Sequence, residues 1–149
     1  MRSAILALFP CLVAATLLAA EAPAQADEAG IRLAALDYIE GWYTNDVTRM
    51  ERALHPQMVK RRVLLESEGR PSLDHGDAQR LINATRLAPG ESANPLGNRR
   101  REVQILDMQG NAAAVKVDAD AWIDYLHLIK WGGEWKIINV LWELRPERQ

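Results

Sequence analysis

The chain has 149 residues, 48% of them apolar and 26% charged, the composition of one packed domain rather than of a disordered segment. Lys and Arg number 18 against 20 Asp and Glu, a formal charge of -2, so the basic excess of a nucleic-acid binder is missing. A single cysteine, Cys11, excludes an internal disulfide and a cysteine-based metal cluster.

Residues 1–26 read as a targeting segment. Arg2 supplies the positive start, Ala4 to Ala20 is an uncharged, mostly apolar run broken by Pro10, and Ala24-Gln25-Ala26 has the small-x-small spacing that a signal peptidase accepts. The run is shorter than the roughly 20 residues that a spanning helix needs. The expectation is therefore export, cleavage after Ala26, a periplasmic or secreted domain over 27–149, and no stable membrane insertion afterwards. Cys11 leaves with the leader. Arg2 and Glu21 leave together, so the charge of the remaining chain is unchanged.

From Asp27 to Thr44, Ile31, Ala34, Ala35, Tyr38, Ile39, Trp42 and Tyr43 recur with a period near 3.6, which predicts an amphipathic helix. Asp46 is placed to cap a second helix over about Val47–Leu54, and Pro56 stops it. Val59 to Leu65 predicts a short strand with Val59, Val63 and Leu65 as its apolar side. Glu66 to Asp74 reads as a loop, marked by Gly69, Pro71 and Ser72. A third helix carries Ala78, Leu81, Ile82 and Thr85, capped by Asp77 or Asp74 and ended at Pro89-Gly90. Beyond the polar loop over 90–100 the period becomes two. One strand runs through Val103 and Ile105, and Gly110-Asn111 turns the chain. A long strand starts near Val115 and runs on toward Ile129, bent or bulged near 121–124. Gly132-Gly133 makes a hairpin turn into the last strand, Trp135–Leu144. Helices in front of a meander of long antiparallel strands make an α+β domain.

Two stretches carry a family resemblance: LDYIEGWYTNDVTRMERALHP (36–56) and DYLHLIKWGGEWKIINVLWE (124–143). They resemble the nuclear-transport-factor-2-like superfamily and, within it, its bacterial lumazine-binding branch. The resemblance implies a cone-shaped fold, in which a curved antiparallel sheet packs around the N-terminal helices and leaves a cavity open at one end. Related members include steroid isomerases, dehydratases, polyketide cyclases and proteins without assigned activity.

The candidate chemistry follows from residue type. Tyr38, Trp42, Trp122, Tyr125 and Trp142 are the aromatic side chains expected to hold a small apolar or aromatic molecule, with Asp124 beside them and Arg61 at the rim. The plainer reading makes the rings core and the charges surface. Asp118, Asp120 and Asp124 share one strand face if the register stays regular. Of these, Asp124 is the one expected to point inward, where it could serve as a general base with Tyr38 as hydrogen-bond donor to an enolate oxygen. The three histidines, His55, His75 and His127, lack the spacing of a zinc helix, and no phosphate-binding glycine motif occurs, so neither a metal nor a cofactor is expected. Three functions stay open: a small-molecule-binding domain, an acid–base isomerase or dehydratase, and a homodimeric interaction scaffold built on an apolar outer sheet face around Ile129, Trp131 and Leu141.

Overall fold

A computed structural model describes residues 12–87 and 96–145, with side chains from Ala24 onward. The expected Pro89-Gly90 stop, Arg2 and Cys11 lie outside the described residues. In chain order the elements are α1 (Leu12–Thr44), α2 (Val47–Ala53), β1 (Leu54–Leu65), β2 (Pro71–Asp77), α3 (Ala78–Leu87), β3 (Arg101–Gln109), β4 (Ala112–Ala119), β5 (Trp122–Trp131) and β6 (Glu134–Leu144). The strands form one curved, unclosed sheet in the order β2-β1-β6-β5-β4-β3.

The core forms where the predicted helical stripe meets the inward side chains of the strands. On α1, Ile31, Ala35 and Ile39 are fully buried. Facing them are Val115 and Val117 of β4, Leu126 and Leu128 of β5, and Ile137 and Val140 of β6, none more than 1% exposed. Each large side chain so buried contributes roughly 1.5–3 kcal/mol relative to exposure. A bulge bends the sheet around the helix. Ile137 pairs with Leu128 and Asn139 with His127, so Ile138 has no opposite number. The inserted residue lets Ile137 and Val140 both face inward and adds local twist.

The local signals act as the residue types dictate. Asp46 accepts the Arg49 backbone N–H at 3.0 Å and so caps α2. Asp77 rather than Asp74 caps α3, accepting the Arg80 N–H at 2.8 Å. Gly132 and Gly133 both take positive φ, 58° and 87°, as a tight two-residue hairpin requires.

Four expectations are corrected. The segment expected as a loop, Glu66 to Asp74, holds the first half of strand β2, an edge strand whose first residue is Pro71, where a missing N–H breaks no ladder. The long strand expected to run on toward Ile129 is two strands, β4 and β5, reversed at Asp120-Ala121 with neither Gly nor Pro to mark the turn. The sheet is not wholly antiparallel, because β1 runs parallel to β6 through Lys60↔Val140 and Arg61↔Leu141. Finally, α1 begins at Leu12 rather than near Asp27, so the helix continues back through the expected cleavage site.

Candidate functional site

Between α1, α3 and the ends of β1, β2, β5 and β6 lies a cavity of about 440 Å³. Tyr38, Ile39 and Trp42 of α1 form one wall, Leu81 and Ala84 of α3 a second, and Trp122, Trp142 and Leu144 a third. The Trp42 and Trp122 rings meet edge to face with centroids 6.5 Å apart. Such walls suit a flat apolar guest, and the few polar groups among them fix how it can lie.

Lys60 on β1 is the central polar group of this wall. Its Nζ donates to Tyr38 Oη at 2.5 Å and to Asp124 Oδ1 at 2.8 Å. The second oxygen of Asp124, Oδ2, accepts the Trp122 indole N–H at 2.7 Å. Asp124 is fully buried, whereas the Lys60 side chain keeps 17% of its exposure. The same Nζ stands 4.8 Å from the Trp142 ring and 5.2 Å from the Tyr38 ring, and the Arg62 guanidinium stands 4.5 Å from the Trp142 ring on the same strand face. Burial pushes the Lys60 ammonium below its ordinary pKa, against the opposing pull of Asp124 and with a further push from Arg62. Burial, then the Asp124 charge and the hydrogen bond to it, hold the Tyr38 phenol well above its ordinary value, so Tyr38 keeps its proton.

The sequence-predicted residues divide cleanly. Tyr38, Trp42, Trp122 and Trp142 line the cavity. Asp124 points inward as expected, yet it sits behind Lys60 and does not itself border the space. Tyr125 is on the opposite, outer face, 46% exposed, because strand alternation sends neighbours of an inward residue outward. Arg61 is outward for the same reason and donates to Asn139 Oδ1 at 2.9 Å instead of reaching the rim. Nor do the three aspartates share a face. Asp118 points outward and pairs with Arg100 and Arg145, and Asp120 lies in the β4–β5 turn, accepting the Arg100 N–H at 2.7 Å.

Lys60 is the residue that sequence reasoning passed over. Taking Val59, Val63 and Leu65 as the buried side of β1 places Lys60 outside. The strand lies the other way round: Met58 is fully buried and Lys60 faces in, while Val63 and Leu65 are 50% and 75% exposed. The signal available was the buried Met58, two residues from Lys60 and therefore on its face.

At the rim, Arg80 Nη1 donates to the His75 carbonyl at 2.7 Å and approaches Asp74 at 3.4 Å, so this cation is already engaged. The other α1 carboxylates serve packing between elements. Asp37 is gripped by Arg49 and Arg52, and Glu40 by Arg49 and Arg101, which ties α1 to α2 and β3. Among the described residues no cluster of His, Cys, Asp or Glu is arranged to hold a metal ion. Among the described residues, too, no helix is long and apolar enough to cross a membrane.

Comparisons with known proteins bear on the family and the fold. The family model described as "Putative lumazine-binding" matches residues 26–143. No curated protein matches the chain. Solved structures share the fold. An NTF2-like protein of unknown function from Shewanella baltica is similar with a TM-score of 0.65 at 22% identity, over 81% of this chain and 95% of that one. One from Silicibacter pomeroyi, also NTF2-like and of unknown function, has a TM-score of 0.62 at 17% identity, over 82% and 98% of the two chains. An NTF2-like protein with a cystatin-like fold from Novosphingobium aromaticivorans has a TM-score of 0.63 at 12% identity, over 89% and 91%.

Proposed function

Given that the chain belongs to this lumazine-binding-type family of the NTF2-like superfamily, we propose that it is an exported domain that binds a flat, neutral, largely apolar small molecule. The observation that carries the reading is the wall composition. Tyr38, Trp42, Trp122 and Trp142 surround a space whose central cation, Lys60, is already neutralised by Asp124. An anionic guest would meet that carboxylate through the lysine, and a strongly cationic one would meet Lys60 and Arg62. A neutral guest with one hydrogen-bond acceptor meets neither penalty.

Native mass spectrometry of protein purified from the periplasm of its own host tests this. The expected result is a retained small molecule, lost when Ala84→Phe fills the cavity. A folded protein that carries no ligand, and whose tryptophan fluorescence no flat neutral aromatic compound quenches, ends the proposal. The acid–base enzyme reading is weaker, since Asp124, the carboxylate that it relies on, has both oxygens engaged behind Lys60.

Export is supported by the leader pattern and by the exposure of the residues at the expected cleavage site. Ala24 to Ala26 are exposed, and Asp27 grips the sheet through Lys130 Nζ at 2.5 Å and the Trp135 indole at 3.0 Å. N-terminal sequencing of exported protein should read from Asp27, and a chain retained inside the cell and starting at Met1 would contradict it. A second, compatible reading is self-association. The outer sheet face exposes Val63, Leu73, Tyr125 and Leu141, each between 46% and 56%. Sedimentation should then show a dimer that Leu141→Lys dissociates, and a monomer at all concentrations removes that reading.

A further inference from the structure

The four lysines of the chain are Lys60, Lys116, Lys130 and Lys136. Among the described residues, Lys60 alone borders the aromatic cavity. Lys116 lies on the outer sheet face opposite Tyr125, while Lys130 and Lys136 are ion-paired near the β5–β6 hairpin with Asp27 and Glu134. We propose that Lys60 is a nucleophilic amine that condenses with the carbonyl group of a flat, neutral aldehyde or ketone held in the cavity, forming a protonated imine and releasing water.

The inference rests on the binding reading given above and deepens it. An ammonium has three N–H donors. Two are engaged by Tyr38 and Asp124, which leaves the third for an acceptor in the cavity. A ligand carbonyl oxygen is such an acceptor, and accepting that bond brings its carbon next to the nitrogen. Asp124 and Tyr38 are also the two groups that a condensation needs beside the amine. The carboxylate takes a proton from the ammonium and frees the lone pair. The nitrogen then attacks the carbonyl carbon, the C–N bond forms, and the carbonyl π-pair moves to oxygen. Tyr38, hydrogen-bonded to the same nitrogen, relays one proton from nitrogen to that oxygen and then the proton that Asp124 had taken, and water leaves as the C=N bond closes, with Asp124 again a carboxylate. The sum balances: one ammonium and one carbonyl give one iminium, which keeps a single N–H, and one water. No oxidant or other co-reactant is consumed.

The charge is the physical reason that the site suits this chemistry. Reactant and product both carry one positive charge at the same nitrogen, so the buried carboxylate of Asp124 faces a cation before and after the reaction. The Trp142 and Tyr38 rings face that nitrogen at 4.8 and 5.2 Å and favour either cation. Burial also raises the share of unprotonated amine above that of an exposed lysine.

Reductive trapping tests the proposal on the full chain. The protein is mixed with naphthaldehyde and cyanoborohydride at neutral pH, and the modified lysines are mapped by peptide mass spectrometry. Methylnaphthalene, which has the same flat frame and no carbonyl, is titrated in parallel against tryptophan fluorescence. The expected result is an adduct at Lys60 that forms more than about tenfold faster than at Lys116. Lys60→Arg, which keeps a cation for Asp124 but is not a nucleophile, should abolish that adduct. If Lys60 reacts no faster than Lys116 while methylnaphthalene quenches, the imine proposal is overturned and the binding reading stands. If methylnaphthalene does not quench at all, the binding reading fails and the imine proposal with it. Because Lys60 is compared with Lys116 in the unmodified protein, the test survives a variant that does not fold.

Discussion

Asp37 and Tyr38 are neighbours on α1, yet they anchor two charge clusters of different build. Asp37 is 1% exposed and saturated: Arg49 reaches Oδ1 at 2.9 Å, and Arg52 reaches Oδ2 at 2.6 Å and Oδ1 at 2.7 Å. Its cations are in contact with water, the Arg49 and Arg52 side chains being 24% and 50% exposed. Around Tyr38 the cation itself is mostly buried, its carboxylate is wholly so, and the unengaged side of the cluster faces a cavity. One cluster fastens α1 to α2. The other places an amine on the aromatic wall of a cavity, an arrangement that packing alone does not require.

Removing a partner should therefore hurt the two clusters unequally. Lys60→Met strands the Asp124 carboxylate where water cannot reach it, and urea unfolding should show a loss of about 3–5 kcal/mol. A loss below 1 kcal/mol at neutral pH would mean that Asp124 finds another donor, and the contrast between the clusters would collapse.

Asp37→Ala should cost less, about 1–3 kcal/mol, since Arg49 and Arg52 can turn to solvent once released. Its pH dependence separates the clusters further. Burial alone would raise the Asp37 pKa, but the hydrogen bonds from Arg52 and Arg49 outweigh it and hold the carboxyl below its ordinary 3.8. A group with a depressed folded-state pKa lends stability that is fully present above the unfolded value and is lost as the pH falls through the folded one. Denaturant midpoints measured from pH 6 downward should thus drop below about pH 4 in the native protein and drop less in Asp37→Ala. Parallel curves would show that the α1–α2 ion pairs are not coupled to folding.

The same contrast explains which parts of the molecule were readable beforehand. The α1 stripe, the Asp46 cap and the Gly132-Gly133 turn were legible because each obeys one local rule. Strand β2 was not, since Pro71, Ser72 and Gly76 are turn residues that here occupy an edge strand. The β4–β5 reversal was hidden because the alternation in DADAWID continues through it. Strand β1 misled in the most informative way. Its Val63 and Leu65 face solvent and its Lys60 faces the cavity, so the hydrophobic pattern contradicts the fold at the strand that carries the site. Sequences that are otherwise consistent break their own pattern at functional positions. A register slip of one residue exchanges Lys60 for Arg61 and Asp124 for Tyr125, which is why the inward carboxylate could be foreseen and its lysine could not.

A smaller effect tests how tightly α1 is held at the end nearer the β5–β6 hairpin. A Cβ on Gly30 would stand 2.8 Å from Trp135 Cδ1, and that indole is fixed by its bond to Asp27. The better helix propensity of alanine, worth up to about 1 kcal/mol, opposes the clash, which should cost about 1–3 kcal/mol. Thermal unfolding of Gly30→Ala should show a net loss of about 1 kcal/mol. A gain would mean that Trp135 yields, and then the grip of Asp27 on the sheet is looser than its two hydrogen bonds suggest.

The smallest expected effect is the sharpest test of which way β1 faces. Arg61 and Lys60 are adjacent and carry the same charge, so any account of the cavity based on charge or position along the chain treats them alike. The strand's alternation does not: Arg61 bonds Asn139 on the outer face, and Lys60 bonds Tyr38 and Asp124 at the cavity. Arg61→Ala should change stability by no more than about 0.5 kcal/mol and leave quenching by methylnaphthalene unaltered. If instead it weakens that binding, the basic run of β1 acts as one patch at the rim. The inverted strand face, with the isolated amine that it delivers to the cavity, would then be the wrong description of the site.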